Sequence, residues 1–581
     1  MLYIAHSGNA NNSQHYSVRV NGGTQVPILD LYGITDRNKR LEKAADYIEK
    51  LDAYAENIQK LHTKIHAGAN NKFINKKFDE NFDSTEIFID SMLFSLPATQ
   101  ILAGLGNSDR AKTLVYSMDA MDEMMCLFYQ HKSLNISNSY GKDRTPQQHL
   151  NIRYMRQFEN SFMYATSNHI GIEWGFVSSL VNVKPNKDEN GNYVNNGYFG
   201  WGIAHEIGHC LDQGTISMPE ITNNYFAELA KGVETNADRR FNYTNIYNKV
   251  SSNQKGASSD VFTQFGLYWQ LHLAYDKSTN HTTYSNYQEQ LNNLFYAKLC
   301  YYFREPGRAP KPNGIALTLG DKDQTLMRLA CAVTEKNVLK FLKRWGKEPN
   351  KDTIAYAEQF EKETRAIFYA NDDSRTYVRE HAEEGSKLNT DATTEAISAV
   401  EAKINPDKRN EVNLTITPNG TVPADDILGY EIVRCTIAVG KTQEATIGFT
   451  QTNQFTDTIT SLNNRTVSYK VIMVDQYLNR SAVAVSDMLK VEHKGVTDKS
   501  KFHISTTDMQ AEVLEKEINT NKAENEEEHA RECQHGKVTI DLATFAIDND
   551  INISYAPQLT STVDEDNTKS QGEIILDFNE N

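Results

Sequence analysis

Apolar and polar positions alternate through the first 34 residues, in YSVRV and again in QVPILDLYGI, with Gly22 and Gly23 between the two runs. Period-two runs joined by glycines predict a hairpin, so residues 1–34 read as a small N-terminal β element. From Asp36 to about His66 the period changes. Leu41, Ala44, Ile48, Leu51, Ala55, Ile58 and Leu61 recur every three or four residues among charged ones, the spacing of one helix face. It returns near 96–104, 109–132, 202–213, 220–232, 260–275, 286–303, 323–332, 336–345 and 353–368, which makes 35–385 mostly α. Near Asn405 the texture shifts to short β-branched runs punctuated by Pro and Gly. VNLTITPNGTVP, GYEIVRCTIAV, EATIGFTQTN, FTDTITSL, VSYKVIMVD and SAVAVSDMLKVE give six or seven strands over about ninety residues, a small β-sandwich. The tail from Lys499 is split by KEINTNKAENEEEHARE, read as a solvated helix or loop, before VTIDLATFAIDNDINISYAP and GEIILDFNEN resume strand-like patterning.

A length of 581 residues exceeds one ordinary core. The expectation is therefore a multidomain chain: the β element 1–34, a mostly α domain over 35–400, a sandwich over 405–495 and a partial β module over 499–581. Lys and Arg number 60 against 76 Asp and Glu, a net charge of −16 with no basic stretch, which argues against a nucleic-acid or anionic-membrane binder. No run nears 18 apolar residues, and the first thirty residues lack a basic start followed by an apolar run. Neither a membrane span nor a signal peptide is expected, and Met1 leading directly into LYIA reads as the start of a piece cut from a longer chain. The six cysteines (Cys126, Cys210, Cys300, Cys331, Cys435, Cys533) form no C-x-x-C pair, so neither a zinc ribbon nor a disulfide framework is indicated.

The strongest chemical signal is GWGIAHEIGHCLDQ. His205 and His209 stand one helical turn apart, so both imidazoles can reach a single ion, with Glu206 placed beside its water to take a proton. Gly200 and Gly202 precede the motif, and Ile203, Ala204, Ile207 and Leu211 can seat the helix on a core. His62 and His66 in LHTKIH share the spacing, but Thr63 follows the first histidine where the motif has its acid, and the pair reads as a solvated face. A hydrolytic zinc site needs a third protein ligand and an open position. Glu220, Glu228 and Glu234 are the candidates. Glu228 follows the motif at a spacing familiar from thermolysin-like enzymes. Glu220 has the better neighbourhood: Pro219 suits a helix start, and Asn224 falls four residues later, where it can hydrogen-bond a ligating histidine. At Glu228 the equivalent place is Gly232.

HEIGH followed by PEITNNYF resembles the enhancin-like, mucin-targeting zinc metallopeptidases (peptidase family M60, of the gluzincin type), whose pattern is H-E-x-G-H, a variable gap, then E-V-T-N-N. NSFMYATSNHIGIEWG, DVFTQFGLYWQLHLAY and MRLACAVTEKNVLKFLKRWGKEPN extend the resemblance over about residues 1–385. It implies Zn2+ held by His205, His209 and Glu220, with Glu206 as general base, in a secreted or cell-surface enzyme acting on O-glycosylated proteins such as mucins. Cys210 departs from the Asn or Gln usual after the second histidine and reads as a packed thiol. Residues 408–493 resemble a fibronectin type III domain, with Tyr469 as its late-strand tyrosine, and the tail resembles half of a galactose-binding-like module. His169 reads as a group beside the cleft that could stabilise an oxyanion or touch glycan. Trp174 and Tyr198 read as stacking faces for a sugar, and Trp201 as core. Two alternatives stand beside the glycoprotein peptidase: a glycan-indifferent zinc endopeptidase, and a sugar-binding adhesin with a vestigial metal site.

Overall fold

A computed structural model describes residues 25–67, 83–146, 149–155, 162–183, 198–212, 214–237, 239–252, 260–408, 410–438, 441–459 and 465–491, and four further strands between 510 and 575. The chain divides into two compact units, one built from 1–233 with 277–304, the other from 234–276 with 305–581.

The first unit is organised by a mixed sheet of β1 (Ile28–Asp30), β2 (Thr85–Phe88), β3 (Met92–Leu96), β4 (Leu150–Met155), β5 (Met163–Ala165) and β6 (His169–Glu173). The strand order is β1-β2-β3-β4-β6-β5, with β5 antiparallel to β6. The expected helical region thus also holds a sheet that the sequence reading missed, and the domain is mixed helix and sheet. The strands are three to six residues long, too short for a period-two signal to stand out between helices. The N-terminal reading changes too. Its YSVRV half lies outside the described residues, while β1 pairs in parallel with β2 as part of this sheet. Leu29, Ile87, Phe94, Ile152 and Ile170 are at most 1% exposed, each burial contributing about 1.5–3 kcal/mol.

Helix α1 (Arg37–Ala67) packs on α2 (Ala98–Leu105) and α3 (Arg110–His131). Its buried Ala44, Tyr47, Ile48, Leu51 and Ile58 follow the helical spacing of the sequence. The side chains of His62 and His66 lie outside the described residues. Helices α4 (Trp201–Leu211) and α5 (Asn224–Lys231) follow.

The second unit contains α6 (Val261–Tyr275), α7 (Lys322–Thr334), α8 (Leu339–Arg344), α9 (Lys351–Ala357) and α10 (Asp372–Glu380), then β7 (Ile397–Ile404), β8 (Glu411–Pro418), β9 (Ile427–Ala438), β10 (Lys441–Thr450), β11 (Gln454–Thr458), β12 (Arg465–Asp475), β13 (Ala484–Val485) and β14 (Leu489–Val491). The strands make a five-stranded sheet, β10-β9-β12-β13 with β14 also on β12, and a three-stranded sheet, β11-β8-β7. Val412, Leu414 and Ile416 from one share a core with Ile432, Tyr469 and Val471 from the other. The Tyr469 hydroxyl donates to Asp457 Oδ2 at 2.8 Å.

These strands also pack on helices of their own unit. Phe449 stacks on Tyr369 with ring centroids 3.8 Å apart. Glu431, 1% exposed, accepts from Arg344 Nη2 at 2.9 Å, Arg480 Nη2 at 2.7 Å and the Tyr369 hydroxyl at 2.7 Å. Burial would raise this carboxyl, but the two guanidinia and the tyrosine more than offset it and hold it below the usual range. Farther on, β15 (Gln510–Asn519) pairs with β16 (Arg531–Thr539) and β17 (Gln558–Val563) with β18 (Ser570–Ile575). The ends of the charged stretch expected to be helix or loop are thus strand, and its middle, 520–530, lies outside the described residues.

Candidate active site

Helix α4 carries the histidines, and its neighbours fix where they point. Ile203, Ala204 and Ile207 are buried on one side, so His205, Glu206 and His209 turn toward a cleft of about 640 Å³ that Tyr164, Thr166, Cys210 and Glu220 also line. Gly208 lets the helix approach the following turn, since a Cβ there would meet the Asn223 carbonyl oxygen at 2.5 Å. The turn is tied back to the helix end. Ile221 N and Thr222 N donate to Met218 O at 3.0 and 2.9 Å, and the Thr222 hydroxyl donates to Asp212. Within the turn Glu220 adopts a left-handed backbone, φ +63°, which costs a non-glycine residue about 1–2 kcal/mol. That conformation carries its carboxylate to both imidazoles.

His205 Nε2 lies 3.1 Å from Glu220 Oε2, and His209 Nε2 lies 3.2 Å from Glu220 Oε1. The three ligand atoms fall within 4.8 Å of one another. A tetrahedral ion bound at about 2.0–2.1 Å sets its ligand atoms about 3.3 Å apart, so two imidazoles and one carboxylate in this arrangement fit a zinc-sized dication. Asn224 braces the group: its Oδ1 accepts from His205 Nδ1 at 2.7 Å, leaving Nε2 to face the site, while its Nδ2 donates to Glu220 O at 2.6 Å. Burial, and behind it His209, hold His205 below the usual imidazole range against the opposing pull of Asn224 and Glu220. The neutral, metal-ligating form is thereby favoured.

Glu206 is pushed up to about 7, first by burial and then by Glu220; a dication beside it acts in the opposite sense. Cys210 donates its S–H to Thr166 O at 3.1 Å, and burial, then Glu206, push the thiol up to about 11. It therefore fastens α4 to the segment after β5.

The other carboxylates are elsewhere. Glu228 is fully buried on α5, and Glu234, in the second unit, pairs with Arg379. Tyr198 is 3% exposed with its ring against His281. Its burial removes it as a sugar platform. Trp174 stands edge-on to Tyr154 at 5.6 Å and is not among the cleft-lining residues, and neither is His169. His169 is half-buried, with Nδ1 2.8 Å from the Thr166 hydroxyl and Nε2 3.4 Å from that of Tyr164. Trp201 is half-buried at the start of α4. Asn223, missed in the sequence, is fully buried and sets Nδ2 3.1 Å from His205 Nε2 and 3.0 Å from His209 Nε2. Its place in TNN was visible, but nothing in the spacing separated its role from that of Asn224.

Residues 85–346 match the family model described as peptidase M60, enhancin and enhancin-like. The chain carries an enhancin-like M60 metallopeptidase domain. The M60 catalytic domain of Clostridium perfringens ZmpC, solved in complex with the sialyl T antigen, is similar over 81% of this chain and 77% of that one, at 23% identity and a TM-score of 0.51. The Clostridium perfringens ZmpB metallopeptidase is similar over 80% of this chain and 76% of that one, at 20% identity and a TM-score of 0.50. At these identities the likeness is one of fold. No curated protein matches the chain. M60 peptidases are metal-dependent, and the domain brings His205, His209 and Glu220 together as a candidate metal group.

Proposed function

We propose that the M60 domain is a zinc endopeptidase of the gluzincin type that cleaves O-glycosylated, mucin-like proteins beside a glycosylated Ser or Thr, outside the cell or at its surface. The observation that carries the reading is the convergence of His205, His209 and Glu220 on one point, with Glu206 next to it in the same cleft. Zinc, when bound by these three, supplies Lewis acidity for the scissile carbonyl and its attacking water. Glu206 takes the proton of that water and returns it to the leaving amine. Asn224 holds His205 in the ligating tautomer. Strand β5 offers the substrate a backbone edge. Phe162, Tyr164 and Thr166 pair with β6, so Met163 and Ala165 turn their N–H and C=O outward, where an extended peptide can add as a further strand.

The glycan part of the reading is supported by the sialyl T antigen in the ZmpC complex. Burial of Tyr198 and the place of Trp174 outside the cleft lining favour the second reading, a peptidase indifferent to glycan. Paired peptides identical except for one GalNAc on Thr or Ser separate the two. Faster cleavage of the glycopeptide is expected, and equal rates leave a general zinc peptidase.

Around this domain we propose the boundaries 35–400 for the peptidase, 405–495 for a fibronectin type III-like sandwich and 499–581 for a partial galactose-binding-like module. No helix among the described residues is long and apolar enough to cross a membrane.

A further inference from the structure

On a chain of net charge −16, one open groove in the second unit, about 700 Å³, is lined by Lys340, Lys343, Arg344, Lys362 and Arg480. A lysine-rich helix face is ordinarily just solvated. Here the cations converge from separate segments: three from α8, Lys362 from the stretch that bridges to Asn337, and Arg480 from the turn after β12. Glu431 already accepts from both guanidinia and from Tyr369, which fixes the arginines. Lys340, Lys343 and Lys362 make no salt bridge among the described residues, and the buried Nε of Arg480 has no protein partner. Although Lys340 is exposed as a residue, burial of its amine, and then Arg480 and Arg344 against the opposing pull of Glu431, bring its pKa down to about 8.

The groove also holds acceptors. Glu358, Asp391 and Thr390 line it, and a bare anion would have no use for them, whereas sugar hydroxyls would. Its volume lies within the usual range for small-ligand sites, about 300–1,000 Å³. We infer that this groove binds an anionic saccharide, whose carboxylate or sulfate ester meets Lys340 and Lys362 while its hydroxyls meet Glu358, Asp391 and Thr390. The inference uses no residue of the peptidase cleft and does not rest on the glycoprotein reading.

Acylation of lysines in the full chain with an N-hydroxysuccinimide ester, mapped by mass spectrometry, reads the site directly. 3′-Sialyllactose, 3′-sulfolactose, lactose and inorganic sulfate are the four probes. Protection of Lys340 and Lys362 by either or both anionic sugars is expected, identifying the carboxylate or the sulfate as the group recognised. The K340Q/K362Q double variant, read by protection of Lys343 in the same groove, should weaken that binding at least 10-fold while cleaving an unglycosylated peptide at the unchanged rate. Because protection is read at the two lysines, binding in the peptidase cleft does not mimic it. Protection by none of the probes, equal protection by lactose, inorganic sulfate as effective as the anionic sugars, or unchanged affinity in the double variant would each overturn the inference.

Discussion

At Glu220 the backbone gives up about 1–2 kcal/mol to bring one carboxylate within 3.2 Å of two imidazoles. Glu220→Ala should therefore lose most bound zinc, whereas Glu228→Gln should keep one zinc per chain, as read by elemental analysis after dialysis. The reverse pattern would move the ligand to Glu228. Asn224→Ala, which frees the His205 ring, should weaken zinc binding by about 10–100-fold. Glu206→Gln should retain the metal and lower kcat by about 10²–10⁴. The pH profile follows from the same carboxyl. Glu206 acts as a base only when ionised, its pKa without metal is about 7, and a dication lowers it. Activity should thus be level above pH 7 and fall as pH drops through a value below it; an acid limb centred above pH 7 would assign the base to another group. The histidines and Glu206 were legible because their spacing is local to one helix. Asn223 and the burial of Tyr198 were not, since both depend on which segment folds against α4 and which against residues 277–304.

Helix α4 is seated where a glycine permits it. Replacing Gly208 by Ala in a helix ordinarily gains about 0.5–1 kcal/mol, but the new Cβ would meet a backbone oxygen at 2.5 Å, and overpacking costs about 1–3 kcal/mol. The second effect should win. Gly208→Ala is expected to melt lower and to lose activity by pushing the turn of Glu220 away from the helix; a variant that is both more stable and fully active would sink this account of the contact. Helices were the most legible elements because their apolar period runs for ten residues or more, and α1, α3 and α6 lie within two residues of the expected bounds. The sheet was not. HIGIE and MYA are too short to declare a period, yet β5, which pairs with β6, forms one wall of the cleft.

For the whole molecule, the break in texture near residue 405 marks a change from helix to strand without marking an independent body. The strands share a compact unit with helices of the M60 domain, held by Phe449 on Tyr369 and by Glu431 between Arg344 and Arg480. A chain ending at residue 400 should accordingly unfold at a lower temperature than the full chain, with Arg344 and Tyr369 deprived of the Glu431 carboxylate; equal melting would mean that the β region adds nothing to the stability of the helices it packs on. The interleaving of the two units, 1–233 with 277–304 and 234–276 with 305–581, bears on synthesis. During translation all three candidate metal ligands leave the ribosome before the stretch that supplies His281 against Tyr198 and Gln290 against Gln130. Residues 234–276 emerge next and must wait for the remainder of their own unit. Vectorial folding, in which each body closes before the next begins, is thus denied to this chain, and a nascent peptidase stays open until well past its catalytic motif.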